Sequence, residues 1–138
     1  MILYLDTSTV LRVVLRQPHP LAEWASWERA YASELMGVEA RRNIDRLKLE
    51  AALDDSGLIA AQQDLARVEG TIARVRLTRA VLLRAAMPMG TVVKTLDALH
   101  IATALLLRER QNIPLTFATH DQQQAVAAQT LGFECVGL

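Results

Sequence analysis

Thr95–Leu107 reads T-L-D-A-L-H-I-A-T-A-L-L-L, and this stretch predicts a helix that is buried on every side. From Ala98 onward only His100 and Thr103 interrupt its apolar side chains. Asp97 stands in the first turn, where an ionised carboxylate removed from water costs several kcal/mol unless it is compensated. A helix N-terminus compensates by at most about 2 kcal/mol. Asp97 therefore either caps the surface end of a core helix or belongs to a carboxylate cluster around a metal ion.

Length and composition narrow the class of protein. A chain of 138 residues fits one domain, over 1–138, with one hydrophobic core. The 15 basic and 15 acidic residues give no global basic field, so nucleic-acid binding requires a local patch. The single cysteine, Cys135, excludes an internal disulfide, and no Cys/His pair has zinc-ligand spacing. No apolar run reaches the roughly 18 residues of a membrane span, so we expect a soluble cytoplasmic protein without membrane contact.

A short apolar run opens the chain and ends in an acid. Ile2–Leu5 predicts a central parallel strand that is buried on both faces. It is followed by Asp6, by a cluster of hydroxyl residues, and by helical spacing from Val10 onward. Sites in open α/β sheets collect at the carboxyl ends of the strands, so Asp6 stands where chemistry is expected. The alternative is that Asp6 caps the following helix, a role equally open to Thr7 and Ser8.

The same arrangement occurs again near the C-terminus. Leu115–Ala118 predicts a second strand, which is followed by Thr119, His120 and Asp121 and by a helix over Gln122–Leu131. In a parallel sheet, Asp6 and Asp121 emerge at the same edge. The helix of Asp97 returns antiparallel to the strand that follows it, so its N-terminus reaches that edge too. Glu39, early in a helix that leaves another predicted strand, is the fourth acid of the predicted cluster.

The rest of the chain is predicted from periodicity, caps and breaking residues. Trp24 and Tyr31 are seven residues apart, so on one helix they share a face and are assigned to the core. The predicted helices are Leu21–Tyr31, Glu34–Asn43, Leu58–Glu69 and Thr78–Ala86, and the predicted strands are Ala32–Ser33, Thr71–Leu77 (an edge strand) and Phe133–Val136. The chain is therefore an α/β protein with a central parallel sheet.

The strongest local positive charge of the sequence is Arg41, Arg42, Arg46 and Lys48. Within this basic cluster, Arg42 is the candidate for contacting a substrate phosphate. It also stands three residues after Glu39, so a solvated ion pair between the two side chains is the competing interpretation.

A cluster of acids requires something to offset its repulsion. Two carboxylates about 4 Å apart repel by roughly 4 kcal/mol at an effective dielectric of 20. Three or four such groups either take up protons or bind a cation. Hard oxygen ligands without thiolates suit Mg²⁺ or Mn²⁺. Such ions polarise phosphoryl oxygens and activate bound water, so the expected substrate is a phosphodiester.

Four motifs together resemble a known family. D-T-S at Asp6–Ser8, V-E-A-R-R at Val38–Arg42, L-D-A-L-H-I-A-T-A-L at Leu96–Leu105 and T-H-D at Thr119–Asp121 resemble a PIN-domain ribonuclease. In length, motif order and spacing, the whole chain is most similar to the VapC-type toxins of type II toxin–antitoxin modules. The resemblance implies a parallel sheet of order 3-2-1-4-5 flanked by helices, and Mg²⁺- or Mn²⁺-dependent endoribonuclease activity.

The resemblance also implies roles for individual residues. Asp6, Glu39, Asp97 and Asp121 match the family's catalytic, metal-binding acids, while Ser8 and Thr119 match hydroxyl groups that support the acids or the substrate phosphate. Water activated on the metal would attack the RNA phosphorus and leave a 5′-phosphate and a 3′-hydroxyl. His100 is interpreted as a hydrogen-bonded core residue, and His120 is left outside catalysis.

The resemblance further implies particular partners. Besides the RNA substrate, these are a second copy of the chain, in a homodimer, and a cognate VapB-like antitoxin. The tail of the antitoxin would cover the acidic site and a neighbouring apolar groove, which Trp24 or Trp27 would line.

Three rival functions were weighed. A haloacid-dehalogenase phosphatase requires D-x-D after its first strand, and Ser8 occupies the place of the second acid. A catalytically silent PIN-fold module for binding RNA or protein would have no reason to keep four repelling acids. A PIN-like DNA nuclease stays open, although such relatives usually carry further acids and DNA-binding elements.

Overall fold

The computed structural model describes all 138 residues as five strands and six helices. The strands are β1 (Ile2–Leu5), β2 (Arg29–Ser33), β3 (Ala73–Val75), β4 (Leu115–Ala118) and β5 (Cys135–Val136). The helices are α1 (Thr7–Val14), α2 (Leu35–Leu49), α3 (Asp55–Glu69), α4 (Arg79–Ala85), α5 (Thr95–Gln111) and α6 (Gln122–Thr130).

The five strands form one parallel sheet in the order β3-β2-β1-β4-β5. This confirms the α/β class and the strand order implied by the resemblance. Tyr4 in β1 lies opposite Tyr31 in β2 and opposite Phe117 in β4. Because β1 and β4 are parallel neighbours, the residues that follow them leave the sheet at the same edge.

The central strand separates two hydrophobic cores. Leu3 and Leu5 belong to the core formed with α1, α2 and α3, whereas Tyr4 belongs to the core formed with α4, α5 and α6. All three side chains are fully buried, as predicted for a strand covered on both faces. Helix α5 is also buried on most of its circumference, which confirms the prediction for Thr95–Leu107.

The predicted helix over Leu21–Tyr31 is wrong. Residues 21–28 contain no helix, a turn covers 22–25, and Ala25 adopts a left-handed φ of 61°, which no α-helix continues through. The following residues instead form β2, which is longer than the predicted Ala32–Ser33 strand because its backbone pairs with β1. Trp24 and Tyr31 consequently lie in different places. Trp24 packs edge-to-face on Trp27 beside the α1–α3 core, and Tyr31 faces the opposite core.

Local capping sets α3 and α4 within three residues of their predicted bounds, whereas α2 continues to Leu49, six residues past its predicted end at Asn43. Asp54 accepts a hydrogen bond from Gly57 N–H at the start of α3, and Thr78 accepts one from Val81 N–H at the start of α4. Asn112, in the left-handed region, ends α5. None of the helices combines the length and the apolar character needed to span a membrane.

Candidate active site

Four acids are carried to the carboxyl edge of the sheet by four different elements. Asp6 follows β1 directly, and Asp121 follows β4 after two intervening residues. Asp97 lies in the first turn of α5, and Glu39 lies on α2, the helix that follows β2. The parallel topology therefore brings together residues that are up to 115 positions apart in the chain.

Asp6 is buried and held by hydroxyl groups from both neighbouring segments. Its Oδ2 accepts hydrogen bonds from Ser8 N–H at 3.1 Å and from Ser8 Oγ–H at 2.6 Å. Thr119 Oγ1, which is fully buried, lies 3.2 Å from the same oxygen. Asp6 thus caps α1, which was the alternative prediction, but it does so through one oxygen. Its Oδ1 points towards the acids, 3.8 Å from His100 Nε2.

Glu39 is held by a chain of buried side chains. Glu39 Oε1 lies 2.5 Å from His100 Nε2 and accepts a hydrogen bond from Thr7 Oγ1–H at 2.8 Å. His100 Nδ1 lies 2.8 Å from the hydroxyl of Tyr4. That hydroxyl accepts from Ser33 N–H, so its own proton is available to His100 Nδ1. In this tautomer Nε2–H donates to Glu39, and the imidazole fixes the orientation of the carboxylate.

The surroundings of His100 pull its pKa in opposite directions. Burial disfavours the imidazolium, whereas the hydrogen bond to Glu39 and the charges of Asp6, Glu39 and Asp97 favour it. The carboxylates prevail, so the pKa of His100 lies above its ordinary value. The interpretation of His100 as a hydrogen-bonded core residue is correct for its burial, but its partners belong to the acid cluster.

Asp97 is the carboxylate whose pKa is changed by the other three acids. It does not cap α5, whose N-cap residue is Lys94, and it accepts no hydrogen bond. Burial raises its pKa, the charges of Asp6, Asp121 and Glu39 raise it further, and the opposing effect of His100 leaves it at about 6. The capping interpretation of Asp97 is therefore wrong, and its carboxylate lies within the field of the other three acids.

Asp121 and Thr119 complete the edge. Asp121 Oδ1 accepts a hydrogen bond from Gln124 N–H at 3.0 Å and so caps α6. Thr119 Oγ1 accepts from Asp121 N–H and lies 2.9 Å from Gln124 Oε1, so it links Asp121 to Asp6. The backbone N–H of His120 donates to Ser8 Oγ, and the His120 ring turns towards the Gly137 carbonyl, outside the cluster.

The donor set offers a hard divalent cation at most one or two direct carboxylate ligands. No group of three or more acid, histidine or cysteine side chains lies close enough together to hold a metal ion. Asp97 nevertheless keeps a free carboxylate, and Asp6 Oδ1 and Asp121 Oδ2 accept no hydrogen bond. Magnesium usually retains several waters and binds one or two carboxylates together with substrate phosphate. Burial is the main reason that the pKa of Asp97 is raised, and the charges of Asp6, Asp121 and Glu39 add to it, so a cation bound here would favour the ionised carboxylate.

Arg42 does not contact the acid cluster. Its guanidinium lies 3.6 Å from Asp45, and the side chain is 77% exposed. The predicted ion pair with Glu39 is therefore wrong, because Glu39 turns inward to His100 and Arg42 turns outward. The other cations of the predicted basic cluster also form ion pairs: Arg41 with Glu69, Arg46 with Glu50, and Lys48 with Asp55.

Sequence reasoning missed three contributors to the site: Tyr4, Thr7 and the bond from His100 to Glu39. The spacing of His100 three residues after Asp97 was the available signal, because residues three apart share a helix face. Tyr4 and His100 are 96 residues apart in the sequence, and no local sequence pattern predicts a contact between them.

An apolar groove of about 560 Å³ lies between α4 and the first turns of α5, where Thr95 and Ala98 line it. Its walls include Leu82, Met87, Met89 and Leu99. Trp24 and Trp27 line a different and smaller pocket, of about 320 Å³, with Arg67 and Val68.

Comparisons with known proteins agree with this architecture. The family model described as "PIN domain" matches residues 3–129. The solved structure of VapBC2 from Rickettsia felis, bound to a DNA fragment from their promoter, is similar with a TM-score of 0.69 at 14% identity, covering 99% of both chains. The structure of FitAcB from Neisseria gonorrhoeae is similar with a TM-score of 0.63 at 21% sequence identity, and the match covers 98% of this chain and 96% of that one. The structure of PAE2754 from Pyrobaculum aerophilum is similar with a TM-score of 0.63 at 17% sequence identity, and the match covers 95% of this chain and 86% of that one. No curated protein matches.

Proposed function

Because this chain belongs to the PIN-domain family, we propose that it is a metal-dependent endoribonuclease, the toxin of a toxin–antitoxin module. The observation that carries this proposal is the half-buried Asp97, whose pKa is raised to about 6 by burial and by three neighbouring acids. A partly buried carboxylate without a counter-charge, in the field of other acids, is typical of a functional site, and a bound cation would supply the missing charge.

Asp6, Asp97 and Asp121 would hold a Mg²⁺ or Mn²⁺ ion, directly or through water, with Glu39 completing the negative field. The bound ion supplies activation of a water for attack on the phosphorus and neutralises charge on the phosphoryl oxygens. Ser8 and Thr119 hold Asp6 Oδ2, so Oδ1 would be free to bind the ion. His100 and Thr7 hold Glu39 in the same way.

We also propose the partners that the family resemblance implies: a homodimer and a VapB-like antitoxin, in the cytoplasm. The FitAcB and VapBC2 names support a protein partner, since each of these similar structures is named as a pair. The apolar groove between α4 and α5 is lined by Ala98, the residue after Asp97, and is the better candidate for the antitoxin tail than the Trp24–Trp27 pocket.

The test is cleavage of total cellular RNA by the purified chain, free of antitoxin, followed on a denaturing gel. Reactions contain EDTA, Mg²⁺ or Mn²⁺, and each is repeated with Asp97→Asn and with the control Glu69→Gln, a carboxylate that pairs with arginine outside the site. We expect discrete fragments with 5′-phosphates that require the metal, persist with Glu69→Gln and disappear with Asp97→Asn.

Single-stranded DNA of matched sequence is included as a second substrate. Metal-dependent cleavage of DNA alone would replace the RNA substrate with DNA. Absence of any cleavage by the folded chain would favour a binding module. Cleavage that Asp97→Asn leaves unchanged would point to a contaminating nuclease.

A further inference from the structure

The lysines and arginines that form ion pairs lie in a different part of the chain from most of those that do not. Seven of the 15 lysines and arginines form ion pairs, and all seven lie between Arg16 and Arg74. Beyond Arg74 no arginine or lysine forms one. No Asp or Glu occurs between Glu69 and Asp97. The basic cluster that dominates the sequence is therefore neutralised, and six of the eight cations without an ion pair lie between Arg76 and Arg110.

Two of these unpaired cations line one cavity. Arg76, just after β3, and Arg110, in the last turn of α5, face a pocket of about 250 Å³ with Thr78 and Gln111. No acid is among its lining residues. Glu34 approaches this segment through its hydrogen bond from Leu77 N–H but forms no ion pair with either arginine.

The polar groups of this pocket are arranged to donate. Gln111 Oε1 accepts from the Tyr31 hydroxyl, which leaves the Gln111 amide N–H groups available. Thr78 Oγ1 accepts from Val81 N–H, which leaves the hydroxyl proton available. Two guanidinium groups, an amide and a hydroxyl that all donate form a site for an oxyanion, and a phosphate group has the matching acceptors.

The pocket lies along the second half of α5, from Thr103 to Gln111, and Asp97 lies in the first turn of that helix. Asp97 is in the first turn of α5 and Arg110 in the last, about 20 Å apart at the α-helical rise per residue. Helix α4 runs antiparallel beside α5, because Leu82 and Ala85 meet the start of α5 whereas Val81 and Thr78 meet its end. Further unpaired cations lie on the intervening segment: Arg79, Arg84 and Lys94.

We propose that the Arg76–Arg110 pocket binds a backbone phosphate of the RNA at a distance from the bond that is cut. This inference rests on the proposed ribonuclease function and names a part of its substrate surface. A positively charged surface that follows a single strand provides affinity without reading sequence. RNA is favoured over an acidic polypeptide because the unpaired cations extend from the pocket towards the site that would cut the same strand.

The experiment measures binding separately from cleavage. Fluorescence anisotropy with labelled RNAs of about 4 and about 12 nucleotides, within the site sizes of single-strand binders, uses the Asp97→Asn chain so that no substrate is consumed. The double variant Arg76→Gln/Arg110→Gln is compared with Arg46→Gln/Arg67→Gln, which removes the same charge from two arginines in ion pairs. Circular dichroism establishes that both double variants are folded.

We expect Arg76→Gln/Arg110→Gln to weaken binding of the longer RNA about tenfold and to lower its log–log salt slope by about 1.4, from two lost phosphate contacts. The shorter RNA, which cannot reach from the acids to the pocket, should lose less than about twofold. With Asp97 restored, KM for the longer RNA should rise while kcat stays constant. The control should change each quantity by less than about twofold.

Equal losses in the two double variants would overturn the proposal, because only net charge would then matter. Tighter, arginine-dependent binding of polyglutamate than of RNA would assign the pocket to an acidic polypeptide instead. RNA binding that depends on Arg76 and Arg110, in a chain that cleaves nothing, would retain the phosphate pocket and reject the nuclease.

Discussion

Glu69 and Asp97 are two partly buried carboxylates with opposite surroundings. Glu69 at the end of α3 lies 2.6 Å from Arg41 and 3.5 Å from Arg74, and the hydrogen bond from Arg41 is the main reason its pKa is lowered. Asp97 at the start of α5 has no lysine or arginine in ion-pair range, and burial and other acids raise its pKa to about 6. The α2–α3 surface neutralises its charges locally, whereas the carboxyl edge of the sheet leaves its acids uncompensated.

This difference separates structural carboxylates from candidates for chemistry. A carboxylate with its own guanidinium stabilises the fold and has little remaining capacity for a ligand. A carboxylate whose counter-charge is missing lowers the stability of the chain on its own, and such a site is retained where a cation or substrate supplies the missing charge. This difference can be tested by substituting one carboxylate at the carboxyl edge of the sheet and one on the α2–α3 surface.

The largest expected effect is on cleavage. Asp6→Asn should lower the single-turnover rate on labelled RNA by about 10³-fold, because the amide keeps the hydrogen bonds from Ser8 but loses the charge that holds the metal. Glu69→Gln, which removes the same charge from the α2–α3 surface, should stay within about twofold. A comparable loss with both variants would place the effect in global charge or folding.

The second effect is stabilisation by metal. Mg²⁺ at about ten times its Kd should stabilise the chain by about 1.4 kcal/mol, which corresponds to roughly 5 °C in Tm for a domain of this size. Asp97→Asn should abolish most of this shift, and Glu69→Gln should preserve it. Scanning calorimetry with and without EDTA measures the difference, and a Tm shift that survives Asp97→Asn would remove Asp97 from the ligands.

The main features of the fold could be predicted from the sequence because they depend on strong local signals. β1 and β4 are continuous apolar runs that end in polar residues, and α5 is apolar on nearly every face. β2 was mostly missed because Arg29-Ala30-Tyr31-Ala32-Ser33 contains one strong strand former, and pairing with β1 decides its conformation. The left-handed Ala25, which ends any helix before β2, carries no residue-type signal.

The candidate site was only partly predictable, for a related reason. The strand topology determines where a residue just after a strand lies. Asp6 and Asp121 could therefore be assigned to one edge of the sheet without knowledge of the side-chain conformations. The partner of a surface cation depends on side-chain rotamers, which the sequence does not show. Arg42 forms its ion pair with Asp45 and not with Glu39, although each acid lies three residues from it. The contacts of His100 with Tyr4 and Glu39 join three elements and require the packed structure.

The third prediction concerns stability without metal. The pKa of Asp97 is raised in the folded chain from 3.8 to about 6, so folding becomes less favourable as the pH rises through this interval. Asp97→Asn should therefore stabilise the metal-free chain by about 1 kcal/mol at pH 7, since solvent screening reduces the value that a full two-unit shift implies. The gain should shrink as the pH falls and vanish below about pH 3, where Asp97 is protonated in both states. Urea unfolding at the two pH values measures it, and a loss of stability at pH 7 would make Asp97 a structural residue.

The smallest expected effect has the opposite sign and the opposite pH dependence. The pKa of Glu69 is lowered in the folded chain, so its contribution is fully present above its unfolded value of 4.5 and is lost as the pH falls through the folded value. Glu69→Gln should cost about 0.5–1 kcal/mol at pH 7, because Arg41 is half exposed, and progressively less in acid. Urea unfolding of the two single variants would then give curves that diverge from the wild type in opposite directions as the pH rises. If both variants moved stability in the same direction, the contrast between a compensated and an uncompensated carboxylate would be wrong.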